Sequence, residues 1–205
     1  MKFSEYIKTI TPGESVLIEH SAVSLYPLLF YLIGQEKEWK NILVIDVLDS
    51  ALPVFRQLKA ANLDVPLEKL DRVKAGGTSE WGKKILEVDP HEDPGIFMTR
   101  FLSKLTRYYH ENKGVTTFII NPERVIPLQD NKPSFILYLA NTAAGFLGDP
   151  SRTTFYFVNF EIANRKYLAL LEECFTRVLR INERGEIKIL KSINTDEEGN
   201  ILEPK

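Results

Sequence analysis

Asn41-Ile42-Leu43-Val44-Ile45-Asp46-Val47-Leu48-Asp49-Ser50 is the stretch that decides the fold. Four aliphatic residues follow one another without alternation, and a carboxylate comes next. A strand with one face in water alternates between apolar and polar residues. An unbroken aliphatic run suits a parallel strand covered on both faces. The same signature recurs at 15–19 (SVLIE), 115–120 (VTTFII) and 153–158 (TTFYFV). Helical segments separate these runs. Pro27 opens a very apolar helix ending near Gly34, and Leu52, Phe55 and Leu58 mark a helix that Asn62 can terminate in a left-handed conformation. Asp93-Pro94 pairs a capping carboxylate with a first-turn proline, starting a helix that runs to about Glu111. Pro133 opens a helix through Leu147, and a further helix spans 165–171. Residues 72–75 and 83–88 read as two shorter strands joined by a Gly76-Gly77 turn. The strand at 175–181 and residues 186–191 form a terminal hairpin around Asn182–Gly185.

Strands alternating with helices predict a three-layer α/β fold with a mainly parallel sheet and a C-terminal hairpin. No Pro-, Gly- or Ser-rich linker divides the chain. Residues 1–192 therefore read as a single domain, and the polar, acidic segment 193–205 as a flexible tail.

Composition narrows the function classes. The 205 residues carry 26 Lys and Arg against 28 Asp and Glu, a net charge of −2, so no whole-surface basic field for nucleic acid exists. Arg100, Lys104 and Arg107 form one basic stripe on the helix after Asp93, and a solvated helix face is the favoured reading of it. A single cysteine, Cys174, fits a reducing cytosol. The N-terminus lacks an apolar targeting core, and the apolar run 25–33 is about half of a membrane span. The expectation is a cytoplasmic protein with no membrane segment. Few Gln, Met and Cys beside abundant Lys and Glu point to a thermophilic source.

In sheets of this kind ligands bind beyond the carboxyl ends of the strands. That rule selects His20, Ser21, Ser24, Asp46, Asp49, Asn121 and Asn159 as candidate ligand-binding residues. Read separately, Asp49 or Ser50 would cap the following helix. Gly77-Thr78-Ser79-Glu80-Trp81-Gly82-Lys83 matches G-x-x-x-x-G-K, but Lys84 replaces the magnesium-binding hydroxyl and a strand follows where a helix is needed. It reads as a connection between edge strands. His91-Glu92-Asp93 has no second histidine at helical spacing and reads as a solvated turn and cap. No metal site, cofactor site or catalytic constellation is expected.

Pro12-Gly13-Glu14-Ser15-Val16-Leu17-Ile18, the stretch 41–50, and the helix-to-strand step at 55–64 (FRQLKAANLD) together resemble the KaiC/RecA-like ATPase superfamily. More closely, the chain resembles an uncharacterised archaeal family related to KaiC-type ATPases with a degenerate phosphate loop. The resemblance implies a RecA/KaiC-like P-loop NTPase fold over residues 1–192 and an oligomeric habit. It would put a phosphate loop at 19–25, where there is neither glycine nor lysine, and a magnesium-holding Asp where Asn121 stands. The favoured function is a non-catalytic binding or regulatory module acting through self-association or a protein or peptide partner. An atypical nucleotide-binding ATPase and a DNA-repair accessory protein are the alternatives. Two helices, 25–33 and 133–147, are apolar nearly all round. Deep burial accounts for that, or a partner does. The second carries the expectation of a two-fold dimer, with Phe135, Tyr138, Phe146 and Leu147 as anchors and Ala140, Ala143, Ala144 and Gly145 allowing close approach.

Overall fold

The structure, a computed structural model, describes residues 1–204. Nine strands form one sheet: β1 (Ser15–His20), β2 (Ile42–Val47), β3 (Asp71–Ala75), β4 (Lys83–Val88), β5 (Val115–Ile120), β6 (Arg152–Asn159), β7 (Arg177–Ile181), β8 (Ile187–Lys191) and β9 (Ile201–Leu202). Their order is β4-β3-β2-β5-β6-β1-β7-β8-β9. The first seven in that order are parallel, and β8 and β9 are added antiparallel. The helices are α1 (Phe3–Ile7), α2 (Tyr26–Glu36), α3 (Ala51–Ala60), α4 (Pro94–Glu111), α5 (Val125–Leu128), α6 (Pro133–Gly145) and α7 (Arg165–Cys174).

Every residue of β1, β2, β5 and β6 is buried, as two-face coverage requires. One face packs Val16, Ile18, Val44 and Phe118 against α1, α2 and α3, with the Phe30 and Phe118 rings 4.5 Å apart. The other packs Leu17, Leu43, Tyr156 and Val158 against α4, α6 and α7. The all-round apolarity of α2 is explained by burial, since α1 and α3 flank it and Trp39 covers its end. Gly34 is required there: a Cβ would stand 2.2 Å from the Trp39 ring.

Three expectations are corrected. The segment 193–205 is not a loose tail over its described residues. It makes a 3-10 turn and then β9, which pairs with β8, while Phe3 N–H donates to the Glu203 carbonyl and Leu202 is buried. Leu202 supplies an apolar anchor that the acidic composition hid. Second, β3 and β4 lie parallel, so residues 76–82 form a crossover rather than a tight turn. Third, Phe135 cannot anchor a partner. It is 2% exposed, packed with Phe97, Met98 and Val125 in the chain's own core. Ala140 and Ala143 are likewise buried, the latter in the core that α7 joins. Ala140 and Ala143 lie within the chain's own packing, where α6 meets α7, while Gly145 stays exposed.

β4 is a free edge, but it carries a bulge opposite Arg72/Val73 and exposed Lys83 and Lys84. Both features discourage edge-to-edge pairing.

Candidate functional site

The carboxyl ends of β1, β5 and β6 converge on a buried polar cluster. His20 ends β1, is 1% exposed, and stacks on Tyr26 at the start of α2, with ring centroids 3.7 Å apart. Its Nδ1–H donates to the Ser21 carbonyl at 3.0 Å, which leaves Nε2 as an acceptor facing Asn121 Nδ2 at 3.3 Å. Asn121 follows β5 in a left-handed conformation, φ 52°. That backbone turn sends the same amide nitrogen to Glu123 Oε1 at 2.9 Å. Glu123 Oε1 also accepts from the Asn159 N–H at 3.1 Å, tying the ends of β5 and β6 together. Asn159 Oδ1 accepts from the Glu161 N–H at 3.0 Å, and Glu161 Oε2 accepts from the Ala22 N–H at 2.7 Å. The loop after β1 is therefore closed by a carboxylate.

Burial sets the charges. It pushes His20 down to about 4, so the ring is neutral near pH 7. It pushes Glu123 up to about 7, against the opposing hydrogen bonds from Asn121 and Asn159. Three buried atoms of the cluster lack partners among the described residues: Ser21 Oγ, Asn121 Oδ1 and Glu123 Oε2. Asn121 Oδ1 can only accept, and Glu123 Oε2 accepts when its carboxyl is ionised and can donate when it holds the proton. Ser24 Oγ donates to the Ser21 carbonyl at 3.1 Å, and neither serine hydroxyl bonds to His20. The arrangement presents buried hydrogen-bonding groups that can bind and orient a ligand. Val23 and Ile162 are exposed apolar residues in the loops bordering this cluster, and Leu25 is exposed beside them in sequence.

Asp46 and Asp49 belong elsewhere. Arg72, fully buried on β3, places Nη2 2.6 Å from Asp46 Oδ2 and 3.2 Å from Asp49 Oδ1. Its Nη1 donates to the Ser79 carbonyl at 2.8 Å, and Trp81 covers the guanidinium at 4.5 Å. Trp81 Nε1–H donates to Asp46 Oδ2 at 3.2 Å. Asp49 accepts from the Thr78 and Ser79 N–H groups and from the Ser79 hydroxyl. Burial works to raise its pKa, but those bonds and Arg72 outweigh it and hold the carboxyl below its usual range. Gly77, at φ +86°, is needed because a Cβ would meet Asp49 Oδ1 at 2.4 Å. The two aspartates clasp the crossover.

The capping expectation is corrected with them. The first N–H of α3, from Ala51, goes to Asp46 Oδ1 at 2.9 Å, and Ser50 Oγ bonds back to the Val47 carbonyl. Arg72 is the centre of this clasp, and the strand pattern alone does not single it out. An arginine inside a buried strand calls for buried carboxylates, and that signal was available.

No group of three or more His, Cys, Asp or Glu able to hold a metal occurs among the described residues. The apolar cavity under α4 and α6, about 60 Å³ and lined by Phe97, Met98, Leu139 and Tyr156, is well below cofactor size. Among the described residues no helix is long and apolar enough to cross a membrane. In the basic stripe, Arg100 pairs with Glu92 and Arg107 with Glu111 at 2.8 Å, so two of its charges are partly neutralised within the fold.

Comparisons with known proteins bear on this geometry. Residues 5–203 match the family described as "Pyrococcus protein of unknown function, DUF257". The solved structure of PH0250 from Pyrococcus horikoshii OT3 is similar at TM-score 0.82 and 28% identity, over 100% of this chain and 98% of that one. The uncharacterised protein PH0321 of Pyrococcus horikoshii, crystallised with an unknown peptide, is similar at TM-score 0.58 and 15% identity, over 93% and 89%. The KaiC-like protein PH0186 of Pyrococcus horikoshii OT3 is similar at 0.57 and 13%, over 97% and 88%. The last two likenesses concern the fold, which is KaiC/RecA-like. A comparison with curated proteins gives no match.

Proposed function

Since the chain belongs to the Pyrococcus DUF257 family, we propose that it is a non-catalytic RecA/KaiC-like binding module whose ligand is a peptide segment of a partner protein. The observation that carries this is the Ala22 N–H held by Glu161 Oε2 at 2.7 Å. A phosphate-binding loop presents free backbone donors, and its nest needs residues in left-handed conformation. Here residues 19–25 have no positive φ, and a carboxylate already occupies one donor. An incoming phosphate would meet that carboxylate. Of the unpaired atoms behind it, Asn121 Oδ1 accepts, and Glu123 Oε2 does so once ionised, which suits the N–H groups of a peptide rather than an anion. Val23 and Ile162 would supply the apolar contacts around such a segment. The unknown peptide held by PH0321, a protein of this fold, is consistent with the reading.

Calorimetric titration with Mg-ATP is expected to give no binding heat, and a steady-state assay no turnover. Peptides selected from a random displayed library are expected to bind the wild type and to lose binding in a Val23→Asp, Ile162→Asp double variant. Magnesium-dependent ATP turnover would overturn the proposal in favour of an atypical ATPase. Selected peptides that bind the double variant equally well would remove this surface.

Self-association is part of the same reading, on a revised face. Leu137 and Tyr138 are 49% and 39% exposed on α6, and Phe146 and Leu147 are half-buried. Sedimentation equilibrium is expected to give twice the 23.5 kDa chain mass, reverting to the single mass in Tyr138→Glu. A wild-type monomer refutes the association, and an intact Tyr138→Glu dimer refutes the face.

A further inference from the structure

A second pocket lies at the opposite end of the sheet. Lys113 precedes β5 and Ser151 precedes β6, so both stand at the amino edge, away from His20 and Asn121. The pocket holds about 300 Å³ between the last turns of α4 and the loop following α6. Arg152 lines it, with a side chain only 4% exposed. Its guanidinium carbon lies 4.2 Å from the Tyr109 ring centroid and 4.1 Å from that of Phe146. Two aromatic rings therefore hold the planar group in one orientation.

The arginine is under-used by the protein. Nη2 meets Asp149 Oδ2 at 3.1 Å and lies 3.5 Å from the Phe146 carbonyl. Nε is buried and has no partner among the described residues. A buried charged donor left unpaired is costly, and guanidinium presents a flat fork matched to oxyanions. Asp149 does not cancel the field. Arg152 and Lys113 contribute two positive charges against its one negative, and His110 stands at the same pocket. The Ser151 N–H bond and then the Arg152 charge hold the Asp149 carboxyl below its usual range, and the Lys113 charge is close enough to add to them. Gly145 has open space where a Cβ would be, which leaves room for the body of a ligand.

We infer that this pocket binds the oxyanion of a small phosphorylated or carboxylated molecule, held by the clamped Arg152 fork and drawn in by Lys113. The inference is independent of the peptide surface at the carboxyl edge.

The test is an NMR titration of the full chain with inorganic phosphate and, separately, acetate, each against sodium chloride at matched ionic strength. Saturable shifts at the Lys113, Gly145 and Ser151 amides are expected. Saturation by phosphate assigns a phosphorylated ligand, and saturation by acetate a carboxylated one. Lys113→Met, at an exposed position, is expected to weaken binding about fivefold. Arg152→Gln is expected to abolish it. Shifts that match the chloride control for both anions would overturn the inference. So would a Lys113→Met protein with unchanged affinity, which decides the matter even where Arg152→Gln does not fold.

Discussion

Arg72→Met is expected to lower the free energy of unfolding by about 3–5 kcal/mol, the usual consequence of leaving a buried carboxylate without its partner. Asp46 is fully buried, and its Oδ2 takes the guanidinium at 2.6 Å. Methionine fills much of the volume but neutralises nothing. It also releases the Ser79 carbonyl and the Trp81 ring, both held by Arg72. The crossover at 76–82 should loosen before the rest of the sheet, because its ties are Asp49, Arg72 through the Ser79 carbonyl, and Lys74 through Glu80 at 2.7 Å. Urea denaturation gives the global loss and amide exchange of residues 76–82 the local one. Adding Asp46→Asn to Arg72→Met should recover part of the deficit, since the uncompensated charge is then gone. A single variant as stable as the wild type would show that the clasp contributes nothing net, as some buried ion pairs do.

Stability should fall as pH rises from about 5 to 8, and Glu123→Gln should remove much of that slope. Burial holds the folded Glu123 carboxyl at about 7 against an ordinary value of 4.5. Below 4.5 both folded and unfolded chains carry the proton. Between 4.5 and 7 only the folded chain does, so raising the pH penalises folding, and above 7 the full cost is present. That cost is on the order of 3 kcal/mol. Glu19, fully buried on β1, is also pushed up to about 7, by burial first and by Glu172, against its bond to Arg180. It adds a second component with the same sign, and the two carboxyls together outweigh His20, whose lowered value adds an opposite component that fades above its ordinary 6.5. Paired denaturation curves at pH 5.5 and 8 for the wild type, Glu123→Gln and Glu19→Gln separate the two. Wild-type stability that is flat or rises across this interval would refute the assignment.

The strand ends were the right place to look, and the residues there divide for reasons of register. His20, Asn121 and Asn159 meet because β1, β6 and β5 are consecutive neighbours in the sheet. Asp46 lies one residue before the end of β2, on the far side of β5, and turns to β3 instead. Glu123 and Glu161, which close the cluster, lie within segments that strand-end reasoning selects, but their roles depend on the left-handed Asn121 and on a contact spanning 139 residues. The helix at 133–147 shows the same limit. Its apolar residues were evident, yet Phe135 faces the core and Tyr138 faces solvent, and composition cannot assign the two directions.

By itself the sequence determined the layers. Unbroken aliphatic runs between amphipathic segments can be satisfied only by strands covered on both faces, so the α/β architecture follows from local pattern and the hydrophobic effect. Asp93 as the cap of α4 and Asn62 in a left-handed conformation were also local matters, governed by hydrogen bonds within three residues or by one backbone angle. Tertiary structure alone decided strand order, the parallel β3–β4 crossover, the docking of Leu202 and the sorting of carboxylates. Asp46 pairs with an arginine, Glu161 closes a loop, and Glu123 is held near 7 by burial. Each depends on which groups reach one another across many residues and how far water is excluded around them, and neither quantity is written in any short stretch of chain.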